Sequence, residues 1–189
     1  MQRVTTKTTM AELAAIVSEA LEAAGIVATL SGGGAVAIYT DNRYASEDLD
    51  FVTTALLAEL KPVLEPLGFV HSGSPRLLVF EHPATRWYLE FPPAPLGFGG
   101  TYVDATTIEV LSTAAGNIRV ITPTHSVMDR LIAAVSWQDP QSLDQALLVA
   151  RNQEVDWNEL DAWVVAEGIT TSQEVIEFYR RLKRSVPPG

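Results

Sequence analysis

The chain has 189 residues, no cysteine and three histidines. Without thiols neither a disulfide framework nor a thiolate metal site can form. His71, His82 and His125 lack the i, i+4 spacing that sets two imidazoles on one helix face, which argues against a zinc centre. Positive charge is also scarce, with 13 Lys and Arg against 23 Asp and Glu, a net charge of −10. A far field of that sign repels nucleic acid and anionic lipid, and it excludes a broad binder of long duplex nucleic acid. Long apolar runs are missing as well. The uncharged stretch around Leu96 to Tyr102 is broken by Gly and Pro and falls far short of the roughly 20 apolar residues of a membrane helix. The opening Met-Gln-Arg-Val-Thr-Thr-Lys-Thr-Thr has no apolar core of a signal peptide, so the expectation is a cytoplasmic chain with no membrane partner. No Gly-x-Ser-x-Gly elbow and no Walker lysine occur, which removes the commonest hydrolase and P-loop readings.

What is present is a chain that is 47% apolar, ample for one core. Thr9 and Glu12 have capping-box spacing, and Leu13, Ile16, Val17, Ala20 and Leu21 recur at helical intervals until Gly25. Val27 to Leu30 reads as a strand, Ser31-Gly32-Gly33-Gly34 as a turn, and Ala35 to Tyr39 as a short helix. A second strand is expected over Asp48 to Val52, and a helix over Leu56 to Leu67 with a possible break at Pro62. Leu77 to Phe80 and Trp87 to Phe91 read as a hairpin, and Pro92 to Gly100 as an ordered loop. Thr107 to Leu111 and Ile118 to Ile121 are strand candidates joined through Gly116-Asn117. From Pro123 the pattern is helical, over about 123–137, 141–153, 156–167 and 171–184. The expectation is an α/β core, residues 1–122, followed by a helical part, residues 123–189, in one compact unit.

The stretch Ser31 to Phe51 carries the chemistry. A glycine-rich entry to a helix presents outward-pointing amides and the positive end of the helix dipole, and glycine lets an anion approach closely. Residues two apart on a strand share a face, so Asp48 and Asp50 project together while Leu49 and Phe51 pack on the other side. Such a pair suits hard cations; Mg²⁺ takes a few carboxylates plus phosphate oxygens, and two such ions can stabilise the entering and leaving oxygens of an in-line displacement. A phosphate cradle beside a metal-binding pair points to chemistry on a nucleoside triphosphate.

These residues, Ser31-Gly32-Gly33-Gly34-Ala35, Arg43 and Ser46-Glu47-Asp48-Leu49-Asp50-Phe51, resemble the signature of the DNA polymerase β-type nucleotidyltransferase superfamily. The Ser-Glu-Asp-Leu-Asp-Phe form is most similar to its abortive-infection and toxin branch. The resemblance spans roughly residues 27 to 135 and implies a mixed twisted sheet with flanking helices and a C-terminal helical part. It implies that Asp48 and Asp50 ligate Mg²⁺, and that Glu90 completes the metal site or helps to deprotonate the acceptor hydroxyl. It further implies that Ser31, Gly32 and Gly33 contact the β and γ phosphates, with Arg43 nearby, and that Arg130 reaches the triphosphate from a later helix. Glu90 stands where the family more often has Asp, and Arg130 where it has Lys; the Arg keeps the charge and adds a fork suited to phosphate.

The implied reaction moves a nucleoside monophosphate from a triphosphate to an acceptor hydroxyl. The acceptor class stays open between a tRNA end, a protein and a small molecule, and the branch also implies an antitoxin-like partner. A nucleotidyltransferase fold without catalysis, acting as a binding or regulatory protein, is the alternative from a different class. A remoter one is a dinucleotide-binding protein, since Gly32-x-Gly34-x-x-Ala37 fits that fingerprint; the short helix that follows and the position of the acids at the start of their strand count against it. His125, at the head of a helix, reads as a surface cap. Trp137, Trp157 and Trp163 read as packing residues, and the Trp137 to Gln141 corner as a candidate border of the base. Arg180, Arg181, Lys183 and Arg184 form a basic end that suits a solvated last turn or a local patch for a nucleic-acid end.

Overall fold

The computed structural model describes residues 4–44, 46–72, 74, 77–136, 139–168 and 173–186. Trp137 and Gln138 lie outside them. Helix α1, Met10–Ala23, is fixed at its start as its sequence predicts: the Thr9 side chain accepts from the Glu12 amide and the Glu12 carboxylate accepts from the Thr9 amide. Strand β1, Ala28–Ser31, runs directly into helix α2, Gly32–Tyr39, and β2, Asp48–Thr53, returns antiparallel to β1. Helix α3, Leu57–Leu64, continues through Pro62 and tightens into a 3₁₀ turn at Glu65–Leu67, which Gly68 ends at φ 98°.

Strands β3 (Val70–Ser72), β4 (Val79–Glu81) and β5 (Tyr88–Glu90) complete a mixed five-stranded sheet in the order β1-β2-β5-β4-β3. The β4–β5 hairpin is the expected one. Its partner β3 follows a helix and begins at the exposed Val70, too short to show an alternating pattern. The parallel pairing of β2 with β5 sets Leu49 beside Leu89, and β4 adds Phe80 opposite Leu89. All three side chains are fully buried and form an apolar row across the centre of the sheet.

The Pro- and Gly-rich segment after β5 is more regular than its composition predicts, because it supplies β6, Leu96–Phe98, which pairs with β7, Thr101–Val103. The last hairpin joins β8, Val110–Thr113, to β9, Gly116–Arg119, each offset by two or three residues from its expected place. Gly116 opens β9 rather than forming the turn; its φ of 132° and its approach to Ala15 on α1 account for the glycine. Beyond β9, the Ile121 amide donates to the Leu30 carbonyl, so the chain reaches the edge of β1 before turning into the helices.

Four helices follow, α4 (Pro123–Ser136), α5 (Gln141–Asn152), α6 (Trp157–Ala166) and α7 (Gln173–Ser185). They join the same core: Leu131, Ala146 and Leu160 are fully buried, and the buried Trp163 donates its indole N–H to the Phe98 carbonyl at 3.1 Å. Trp157 packs against that core as expected. Tyr39 at the end of α2 donates to the Ile121 carbonyl, and Gln153 after α5 donates to the Tyr39 carbonyl, so both halves clamp α2. Among the described residues no helix is long and apolar enough to cross a membrane.

The central apolar row makes a stability prediction. Leu89→Ala removes a side chain with 0% exposure from it and should destabilise the protein by about 2–5 kcal/mol. Val165→Ala, at a position 74% exposed, should stay within about 0.5 kcal/mol. Urea midpoints measure both, and equal shifts for the two variants would contradict the packing.

Candidate active site

The site grows from one row of the sheet. Antiparallel pairing puts Ser31 of β1 opposite Asp50 of β2, and parallel pairing puts Asp50 beside Glu90 of β5. Asp48 lies two residues earlier on the same face of β2, next to Tyr88 of β5. Ligand oxygens of Asp48, Asp50 and Glu90 all lie within 4.8 Å of one another. Their alternate neighbours Leu49, Phe51 and Leu89 are fully buried on the opposite face, which fixes the backbone that carries the carboxylates.

The glycines have a steric reason that the sequence does not reveal. Gly32 begins α2 at φ 62°, in the left-handed region, and a Cβ there would lie 2.3 Å from Asp50 Oδ2. A Cβ on Gly33 would lie 2.7 Å from Ser46 Oγ. That hydroxyl donates to Asp48 Oδ1 at 2.8 Å. The expected turn is thus the first turn of the helix itself, and its bare backbone is packed against the two carboxylates and their partner. Behind them a Cβ on Gly34 would lie 3.0 Å from the Leu30 and Leu49 side chains, so this glycine lets the helix close onto the sheet. Ser31 is buried, and its hydroxyl donates weakly to the Asp50 carbonyl at 3.5 Å.

Crowding four acids here has an electrostatic result. Burial, then the charges of Asp48, Glu90 and Asp129, push the Asp50 carboxyl up to about 7, with Arg130 opposing. Burial and the Asp48 charge also raise Glu90 above the ordinary carboxylate range. The Tyr88 phenol, 3.5 Å from Asp48 Oδ2, is raised by burial and by the same carboxylates.

Arg130 of α4 is the only buried charged side chain among the described residues. Its guanidinium donates twice to Asp129 Oδ2, at 2.7 and 3.1 Å, and once to Gln145 of α5 at 3.0 Å. Its charge reaches Asp50, so α4 brings this cation to the acidic row. Arg43 is placed differently. It is exposed on the loop after α2 and donates to Asn152 of α5 at 3.1 Å, not to the acids. His125 pairs with Glu159 at 3.2 Å and stacks on Phe98 at 5.0 Å, so its ring packs α4 against α6 and β6 rather than capping a free surface.

Four neighbours of the acids, Ser46, Tyr88, Asp129 and Gln145, received no role from the sequence. Ser46 and Tyr88 carried a signal, since each lies two residues before one of the acids, Asp48 and Glu90 respectively. Asp129 adjoins Arg130 but had no visible partner, and Gln145 is brought in only by the packing of α5 on α4.

The three carboxylates fit a hard divalent cation: they are oxygen donors, close together, and mutually repulsive unless a cation neutralises them. No protein-family model matches the chain, and no curated protein does. Solved structures do match. The antibiotic-resistance factor ANT(2'')-Ia in solution superposes with a TM-score of 0.52 at 17% identity, over 94% of this chain and 92% of that one. Its crystal structure in complex with adenylyl-2''-tobramycin gives 0.53 at 16% identity, over 92% and 99%. An antigenic nucleotidyltransferase-like protein from Paracoccidioides brasiliensis gives 0.59 at 12% identity, over 93% and 94%. With its mixed sheet and flanking helices, the chain has the nucleotidyltransferase-like fold.

Proposed function

We propose that this protein is a Mg²⁺-dependent nucleotidyltransferase that moves a nucleoside monophosphate from a triphosphate to an acceptor hydroxyl. The observation that carries the reading is the convergence of Asp48, Asp50 and Glu90 within 4.8 Å against the glycine start of α2. That the similar ANT(2'')-Ia is known in complex with an adenylylated compound supports it.

In the reaction the acceptor oxygen bonds to the α phosphorus, the bond from that phosphorus to the bridging oxygen breaks, and pyrophosphate leaves. Asp48, Asp50 and Glu90 would hold the cation, which when bound would supply charge neutralisation to the entering and leaving oxygens. Glu90 also accepts the hydroxyl proton. Ser46 orients Asp48. Ser31 and the amides that open α2 face the phosphates, and Arg130, held by Asp129 and Gln145, balances their charge. Arg43 joins the nucleotide from the rim, releasing Asn152. The convergence of the acids favours this reading over an inactive regulatory protein. The Ser46 to Phe51 motif supports the toxin branch, with an antitoxin-like partner, and the acidic composition suits a cytoplasmic setting.

Isothermal titration with nucleoside triphosphates and Mg²⁺ tests the assignment. Wild type should bind, and Asp48→Ala with Asp50→Ala should weaken binding by at least about 100-fold, the order expected when metal-bridged phosphate contacts are lost. Indistinguishable titrations for the two proteins would reject it.

The pH dependence has a definite sign. Asp50 holds its proton more tightly folded, about 7, than an ordinary aspartate does unfolded. Between about pH 4 and 7 the native state therefore binds more protons, and the stability of the metal-free protein falls as pH rises through that window. A divalent cation competes with the proton, so Mg²⁺ should raise the melting temperature more at about pH 8 than at about pH 6. Melting curves with and without Mg²⁺ measure this, and an equal rise at both values would contradict it.

A further inference from the structure

A second charged feature lies away from the acids, on α7. Arg180, Arg181 and Arg184 line a groove of about 810 Å³ between α7 and α5, with Leu143 and Phe178 at its floor. At about 100° per residue, Arg184 lies about 40° and Arg181 about 100° from Arg180, so the three share one face within about one turn. Lys183 points away and is neutralised by Asp161 at 2.5 Å. None of the three arginines forms an ion pair among the described residues. The Arg181 guanidinium lies 5.5 Å over the Phe178 ring, and the Arg184 Nε–H donates to the Arg180 carbonyl at 3.2 Å, which orders the stripe without neutralising it.

The helix dipole does not account for the stripe. Its pull on cations fades within the last turn, which holds Lys183 and Arg184, whereas Arg180 and Arg181 lie before it. On a chain of net charge −10, three guanidiniums facing one concave surface make a local field opposite to the whole molecule's. Glu177 shares the groove, bonded to Gln173, and leaves a surplus of 3 − 1 = 2 positive charges. The groove is separate from the acidic row. Gln145 of α5 faces Arg130, while Leu143, two residues earlier and therefore on the opposite side of α5, faces the groove.

We propose that the α5–α7 groove is a second anion site, which binds a compact ligand carrying adjacent phosphates. Guanidinium forks grip phosphate oxygens in pairs, and adjacent phosphates supply the several charges that three forks converge on. Among the described residues that line the groove the only cations are these three arginines, within about a single turn, which favours a polyphosphate group over an extended strand. The site stands independently of the proposed catalysis.

The test uses inorganic tripolyphosphate, titrated calorimetrically into the whole protein in chelator-treated buffer, so that metal-dependent binding at the acids is silent. Wild type should bind. Arg180→Gln with Arg184→Gln should weaken binding at least about tenfold, Arg180→Lys with Arg184→Lys should lose less, and Glu177→Gln should tighten it several-fold. Asp48→Ala with Asp50→Ala should bind as wild type does, which separates this result from any failure of the catalytic reading. Binding that ignores the arginine substitutions, or that disappears with the aspartate ones, overturns the proposal. So does a single-stranded oligonucleotide that binds more tightly than tripolyphosphate with a salt dependence growing with its length, because it would assign the groove to nucleic acid.

Discussion

The parallel pairing of β2 with β5 is the contact on which the rest of this molecule turns. It is what brings Asp50 beside Glu90, and with Asp48 on the same face it concentrates three carboxyl groups within 4.8 Å. Like charges so close are unfavourable, and burial of Asp50 makes them more so. The arrangement persists because the other face of the same strands is an apolar row, Leu49, Leu89 and Phe80, that cannot be exposed without large loss. Hydrophobic burial on one side of the sheet thus holds an electrostatically strained cluster on the other.

The surroundings of the cluster are responses to that strain. Gly32 and Gly33 remove the two side-chain atoms that would collide with Asp50 and Ser46, so the start of α2, with its partial positive charge, comes directly against the acids. Ser46 donates to Asp48, and Arg130 brings the one fully positive charge. A buried arginine needs its donors satisfied, and Asp129 and Gln145 satisfy three of them at 2.7 to 3.1 Å. That requirement ties α5 to α4. The helical half is therefore part of the site's electrostatics and not merely a cover.

These dependencies also explain what was legible in the sequence. The capping box of α1, the alternation in β2 and the β4–β5 hairpin are written in local periodicity, and local periodicity was sufficient for them. The pairing of Asp48 and Asp50 on one face was legible for the same reason, since i and i+2 on a strand share a face whatever the strand pairs with, whereas Glu90, on another strand, was suggested only by the family resemblance. What failed was non-local or too short. β3 and β6 have three residues each and take their form from their partners, β6 within a segment whose Pro and Gly content argues for a loop. The glycines advertised a turn and a phosphate site, but their steric neighbours, Asp50 and Ser46, are fixed by the sheet register. Gln145 lies 15 residues beyond Arg130 on another helix, a relation no period encodes.

The charge distribution constrains how a triphosphate would arrive. Asp48, Asp50, Glu90 and Asp129 present four carboxylates, and Arg130 offsets one of them. A bare triphosphate approaching this cleft meets repulsion in a setting of low dielectric, where screening by solvent is weak. The amides of α2 offer partial charges only, and Arg130 is already engaged by Asp129. Neither compensates for three carboxylates and a polyanion together. On the nucleotidyltransferase reading, nucleotide and cation must therefore enter as one species or the cation must come first, because the cation changes the sign of the field that the phosphates meet. On that reading the overall negative charge acts as a filter: an anion is admitted to the acidic row in company with a metal, whereas the arginine stripe of α7 offers it an attractive field without one.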